Sequence, residues 1–98
     1  MTDRVMITQL AKELAVPPLD VSVGLSQLRI VQHGNARTYN RDEALQAMEA
    51  YYRRVIRENR QLYIMRRGKS YRARAEMYTF RLEKVLAAIH EWRSICGK

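Results

Sequence analysis

The chain has 98 residues, of which 47% are hydrophobic and only 4 are Gly and 2 are Pro, which excludes a disordered or low-complexity protein. We expect a cytoplasmic protein without a membrane segment, because no apolar run is long enough to cross a bilayer, no signal peptide is recognisable and Cys96 is the only cysteine. The formal net charge is +8, and nine basic residues fall between positions 53 and 74 against a single acid, Glu58. Such a segment attracts a polyanion, which predicts nucleic acid as the first partner and an acidic protein surface as the second.

The first forty residues predict two short helices and a β-ribbon. Residues 7–16 have apolar side chains at helical spacing, with Thr8 as the expected N-cap. The pair Pro17-Pro18 ends this helix and suits the start of the next, which is predicted from Leu19 to Leu28. Two β-prone runs then flank Gly34-Asn35, a pair typical of a hairpin turn. A ribbon of this size must pack against the helices to be stable.

Two long helices are predicted for the rest of the chain. The third begins after Asn40, which together with Glu43 is typical of a capping box, and it ends at Gly68. The fourth runs from a cap at Ser70 to about Ile95. Apolar residues recur in both helices at alternating spacings of three and four, which indicates a coiled coil or a helical hairpin.

The first half of the chain resembles the MerR-type winged helix-turn-helix family. Residues 11–18 are similar to its first helix and turn, where a small residue, a Val and a Pro recur, and residues 36–45 are similar to the end of its wing, where an aromatic residue precedes a capped acidic helix start. Phage excisionases and some small terminase subunits share this head. The resemblance implies DNA binding through the second helix and the wing. The family's second helix begins with basic and aromatic residues, whereas residues 19–27 of this chain contain no cation and one acid, Asp20.

The resulting prediction is a mainly α fold in two parts. Residues 1–50 would form a winged helix-turn-helix head with a small two-stranded ribbon. Residues 51–98 would form a long basic helical hairpin or coiled coil that also serves for dimerisation.

The predicted DNA-binding residues combine polar groups of the second helix, a cation of the wing and the cations of the basic segment. The basic segment would neutralise phosphates, the wing cation would probe an adjacent groove, and the polar groups would meet base edges. These residues are Ser22, Ser26, Gln27, Arg37, Arg53, Arg54, Arg57, Arg60, Arg66, Arg67 and Lys69.

A homodimer is predicted through one face of the fourth helix, because that face is more apolar than the third helix is expected to cover. The residues on this face are Tyr78, Leu82, Val85, Ile89 and Trp92. Asn59 stands among the apolar residues of the third helix. Either it is buried and determines the register of the pairing, or it faces water, and the pattern leaves both alternatives open.

Catalysis and cofactor binding have no support in the sequence. The triplet 68–70 is similar to the end of a P-loop, but Tyr63 stands where that motif requires its first Gly. His33, His90 and Cys96 are too scattered to form a zinc site. We therefore expect no enzyme, no metal and no cofactor.

The leading functional hypothesis is a double-stranded-DNA-binding protein that acts in transcription regulation or DNA architecture, such as one encoded by a phage or mobile element. The alternative is a protein–protein interaction module that binds and modulates an acidic partner protein. A third hypothesis is RNA binding by the arginine-rich helix.

Overall fold

The chain folds into four helices and three short strands in a computed structural model that describes residues 4–34 and 36–96. The fold is therefore mainly helical, as predicted, with a small antiparallel sheet. The elements in chain order are β1 (Arg4–Val5), α1 (Ile7–Leu14), α2 (Pro18–Gly24), β2 (Val31–His33), β3 (Ala36–Asn40), α3 (Arg41–Arg66) and α4 (Lys69–Cys96).

Helices α1 and α2 are joined by a tight turn at the Pro17-Pro18 pair. Helix α1 begins one residue earlier than predicted, with Met6 rather than Thr8 before its first turn, and the Gln9 side chain accepts a hydrogen bond of 3.0 Å from the Met6 N–H. The helix ends at Ala15, which has left-handed dihedral angles (φ 54°, ψ 48°). Pro17 is extended and Pro18 is the first residue of α2, so the predicted role of this pair is confirmed.

Helix α2 ends at Gly24, four residues before the predicted end at Leu28. Beyond Gly24 the backbone tightens into a turn in which the Leu28 N–H donates to the Leu25 carbonyl at 3.0 Å. Gly24 lies against α3, because a Cβ atom placed there would be 2.6 Å from Met48 Sδ and 3.5 Å from Tyr51 Cβ. The glycine thus weakens the helix but permits its close approach to α3.

The sheet has the order β1-β3-β2 and contains a strand that the sequence did not predict. The ribbon of β2 and β3 is confirmed, with Val31 opposite Thr38 and with Gly34 at φ 60°, whereas Asn35 lies outside the described residues. The additional strand β1 pairs with β3, placing Arg4 opposite Asn40. The Arg4 side chain also donates to the Thr38 hydroxyl and carbonyl oxygens, both at 3.3 Å.

Helices α3 and α4 form the predicted long antiparallel hairpin. The cap at Asn40 is confirmed, since its side-chain oxygen accepts a hydrogen bond of 3.0 Å from the Glu43 N–H. Helix α3 ends before Arg67, a non-glycine residue with left-handed dihedral angles (φ 52°, ψ 31°). Helix α4 begins at Lys69, so Ser70 lies in its first turn and does not precede it as a cap.

One hydrophobic core connects the head and the hairpin. Leu10 and Leu14 of α1, Tyr52 of α3 and Val85 and Ile89 of α4 all belong to it. The predicted boundary between residues 50 and 51 falls inside α3, whose buried face runs without a break through that point. The two parts of the chain therefore share their stabilising contacts.

Candidate nucleic-acid interface

A buried carboxylate holds α2 against the hairpin. Asp20 Oδ2 accepts hydrogen bonds from the Tyr52 hydroxyl at 2.9 Å and from Arg81 Nη1 at 2.7 Å. The Arg81 guanidinium also lies 5.4 Å from the centre of the Tyr78 ring. The acid that departed from the family pattern therefore points into the protein and adds no negative charge to the outer surface of α2.

Burial raises the pKa of the Tyr52 hydroxyl strongly, and its hydrogen bond to the Asp20 carboxylate raises it further. Burial also raises the pKa of Tyr51, with the nearby negative charge of Asp20 as the second cause. Both phenols therefore stay neutral at physiological pH, and Tyr52 remains a donor to Asp20.

A second set of contacts fixes α1 against the hairpin. The buried Arg41 guanidinium forms an ion pair with Glu13 of α1 and lies 5.5 Å from the centre of the Trp92 ring. Lys84 Nζ donates to the Ala15 carbonyl at 3.0 Å, at the end of α1. Three cations of α3 and α4 thus join the head to the hairpin, together with Arg81.

The turn after α2 and the basic half of α3 line one surface groove, here called the α2–α3 groove. Its lining includes Ser26 and Gln27 from the turn and Arg54 and Arg57 from α3, around a volume of about 490 Å³. Tyr51 forms part of the floor, with the Arg54 guanidinium 5.8 Å from the centre of its ring. The structure therefore brings together two groups of predicted site residues that are more than twenty-five positions apart in the sequence.

The cations of α3 differ in how far they are neutralised. Arg53 pairs with Glu49 at 3.0 Å and Arg54 with Glu58 at 3.8 Å, and both pairs are exposed. Arg57 and Arg60 are also exposed, but among residues 4–34 and 36–96 no carboxylate pairs with either of them. Their positive charge is thus available to a ligand, and Arg57 lines the α2–α3 groove.

The remaining predicted cations lie at two other places. Arg66, Arg67 and Lys69 are exposed at the turn between α3 and α4, here called the hairpin tip. Arg37 is exposed on β3, where its residue pairs with Gln32 of β2. Ser22 is exposed on α2 but is not part of the groove lining. The predicted DNA-binding residues therefore form one cluster in the groove and two outlying positions, the wing and the tip.

The predicted dimerisation residues lie in the chain's own core. Leu82, Val85, Ile89 and Trp92 are buried, and Tyr78 is partly buried against the same core. The premise that α3 alone must cover this face was wrong, because α1 and the Arg41 side chain cover it as well. Pairing of two chains through these residues would require the hairpin to open, and a homodimer remains a prediction without a face here.

Asn59 is buried, and its side-chain Nδ2 donates to the Val55 carbonyl at 2.8 Å within α3. Of the two alternatives for this residue, burial is therefore correct, and the amide is satisfied inside its own helix. The role of Arg81 escaped the sequence reading. A signal was present, because Arg81 falls between Tyr78 and Val85 at core spacing, where a cation requires a buried partner.

Comparison of the chain with protein-family models, with curated proteins and with solved structures finds no match. The described helices include none with the length and apolar character needed to cross a membrane. Within the same part of the chain, no group of three or more His, Cys, Asp or Glu residues is placed to hold a metal ion.

Proposed function

We propose that the protein binds double-stranded DNA through a winged helix-turn-helix head and the basic half of α3, in transcription regulation or DNA architecture. The observation that carries this proposal is the α2–α3 groove, where Ser26 and Gln27 lie beside Arg54 and Arg57. Side-chain hydroxyl and amide groups are the types that read base edges, and arginines are the types that hold phosphates. The element order from α1 through the ribbon to α3 is compatible with a winged head.

The buried position of Asp20 removes an objection to this proposal. An exposed carboxylate on α2 would repel phosphates, but this one is neutralised by Arg81 inside the protein. The cations then come from α3 instead of α2, and Arg57 and Arg60 supply them without competing carboxylates in the described part of the chain. Arg37 on the ribbon would contact the duplex beside the groove, as the wing cation.

The test compares two double charge reversals that change the net charge equally. Arg57→Glu with Arg60→Glu changes the proposed surface, whereas Lys12→Glu with Arg93→Glu changes exposed cations outside it. The wild type should retard random duplex DNA, and the first variant should lose affinity for every sequence. Its plot of log affinity against log salt should flatten by about 1.8, since each lost phosphate contact removes roughly 0.9. The control variant should keep the wild-type slope within the loss expected from long-range charge alone.

A second candidate function is supported by another groove. Between α3 and α4, Arg53, Arg57 and Arg60 surround an apolar floor that includes Ile64 and Leu82, with a volume of about 490 Å³. An acidic amphipathic segment of a partner protein would fit these charges. This candidate predicts no affinity for duplex DNA at about 0.15 M salt, where the Debye length is about 8 Å. A wild type that binds no duplex, or a first variant that behaves as the control does, would favour it. Stronger retention of a single-stranded RNA hairpin than of duplex DNA would instead favour RNA.

A further inference from the structure

We propose that the hairpin tip is an apolar wedge that enters the minor groove of bound DNA and unstacks a base step, an inference that rests on the proposed DNA binding. Ile64 and Met65 lie in the last turn of α3 with 74% and 77% of their surfaces exposed. They are the most exposed large apolar residues of the described chain. Exposed apolar side chains at a protruding end have no folding role that would explain them.

The wedge is surrounded by cations. Between positions 59 and 75 the chain contains no acid, and its cations are Arg60, Arg66, Arg67, Lys69, Arg72 and Arg74. Within the described residues only one of these has a carboxylate partner, since Arg72 pairs with Glu76 at 3.3 Å. Five of the six are arginines, which suit phosphates and narrow minor grooves. An apolar partner protein would gain nothing from this charge, whereas a polyanion would.

The backbone of the tip is held in a definite shape. Arg67 adopts left-handed dihedral angles, and its N–H donates to the Tyr63 carbonyl at 2.7 Å. Gly68 lies close to the next helix, because a Cβ atom there would be 3.1 Å from the Tyr71 ring. A tip that is ordered before binding can present Ile64 and Met65 without a further loss of conformational entropy.

The spacing along α3 matches two neighbouring grooves of a duplex. Met65 follows Arg54 and Arg57 by a rise of roughly 12–17 Å at the usual helical advance per residue. Half a turn of B-DNA, which separates a major groove from the adjacent minor groove, is roughly 17 Å. A protein that places the α2–α3 groove in the major groove can therefore bring its tip to the flanking minor groove. Proteins that bind there often insert Ile, Leu, Met or Phe between base steps.

The test uses the full chain and a duplex with 2-aminopurine in its central TA steps, which unstack easily. Fluorescence of this base analogue rises when it leaves the stack. We expect the wild type to raise it roughly twofold or more, as insertion of a wedge requires. Ile64→Ser with Met65→Ser should abolish the rise while the salt slope stays unchanged, because no cation is removed. The matched control is Phe80→Ser with Ile95→Ser, which removes exposed apolar residues elsewhere and should keep the rise.

Each remaining outcome decides against part of the proposal. A wild type that binds the duplex without a rise, or a serine variant that retains the rise, overturns the wedge and leaves the proposed function intact. A wild type that binds no duplex overturns both. The same two proteins are also mixed with vesicles containing phosphatidylserine. Vesicle binding that depends on Ile64 and Met65, without any rise on the duplex, would assign the tip to an anionic membrane surface and overturn the wedge.

Discussion

The junction of head and hairpin and the distal half of the hairpin use the same residue type in opposite ways. At the junction, Arg41 and Arg81 are enclosed and paired with Glu13 and Asp20. In the distal half, Arg57 and its neighbours along α3 extend into solvent. Removal of an enclosed arginine leaves a charge without its partner in a poorly solvated place, whereas removal of a solvated one does not. Stability should therefore depend on the first region and ligand binding on the second.

This difference limits what a count of basic residues can say. The net charge of +8 includes cations that carry structural contacts, and Arg81 and Lys84 contribute to it although they hold the head in place. Only cations without an internal partner can exchange counterions for a polyanion. Among the described residues these are concentrated on the distal part of α3 and at the hairpin tip.

The largest expected effect comes from exchanging one arginine in each region for methionine. Arg81→Met leaves the Asp20 carboxylate with Tyr52 alone, and we expect it to lower the free energy of unfolding by about 2–3 kcal/mol. Arg60→Met, in the distal region, should change it by less than about 0.5 kcal/mol. Urea unfolding followed by circular dichroism measures both values. DNA affinity below the unfolding range should show the reverse order, and equal effects of the two variants on stability would contradict the comparison.

The next prediction concerns the junction alone. Tyr52→Phe removes the donor to Asp20 and should cost about 1–2 kcal/mol at neutral pH. The pKa of Tyr52 is raised in the folded state, so the unfolded state ionises first, near pH 10. The stability that the hydroxyl contributes is therefore fully present below about pH 9 and is lost as the pH rises above about 10.

Urea unfolding between pH 7 and 11 should thus show a wild-type advantage over Tyr52→Phe that is constant at first and then shrinks. Tyr63→Phe is a suitable control, because Tyr63 lies on the exposed part of α3. It should match the wild type within about 0.5 kcal/mol at neutral pH. An advantage that grows in alkali would mean that the hydroxyl is not held neutral by Asp20.

The parts of this fold that the sequence predicted are those determined by local chemistry. The Pro17-Pro18 turn, the Asn40 cap, the ribbon at Gly34 and the long hairpin all follow from residues close together in the chain. Strand β1 was missed because two residues show no period, and it is held by pairing with β3 more than thirty positions away. The length of α2 was overestimated because Gly24 serves a contact with α3 that no local pattern reveals.

The same limit applied to the candidate site. The basic segment was recognisable, but its meeting with Ser26 and Gln27 depends on how α2 packs, and that in turn depends on Asp20 and Arg81. The apolar face of α4 was assigned to a second chain because α1 could not be seen to cover it. Which of two apolar faces becomes internal is decided by long-range packing, and periodicity alone cannot distinguish the two cases.

The smallest expected effect comes from releasing an arginine that is already on the proposed DNA surface. Glu58→Gln removes the carboxylate beside Arg54, at 3.8 Å in an exposed pair, and should change stability by less than about 0.5 kcal/mol. Arg54 lines the α2–α3 groove, so its release should add up to one phosphate contact and steepen the salt slope by at most about 0.9. Glu83→Gln makes the same charge change at an exposed position of α4, and its slope should stay that of the wild type. Affinity measured for both variants at two salt concentrations separates release of a specific cation from a general gain of positive charge. Equal slopes for the two variants would mean that Arg54 does not touch the ligand and that the groove holds it through Arg57 alone.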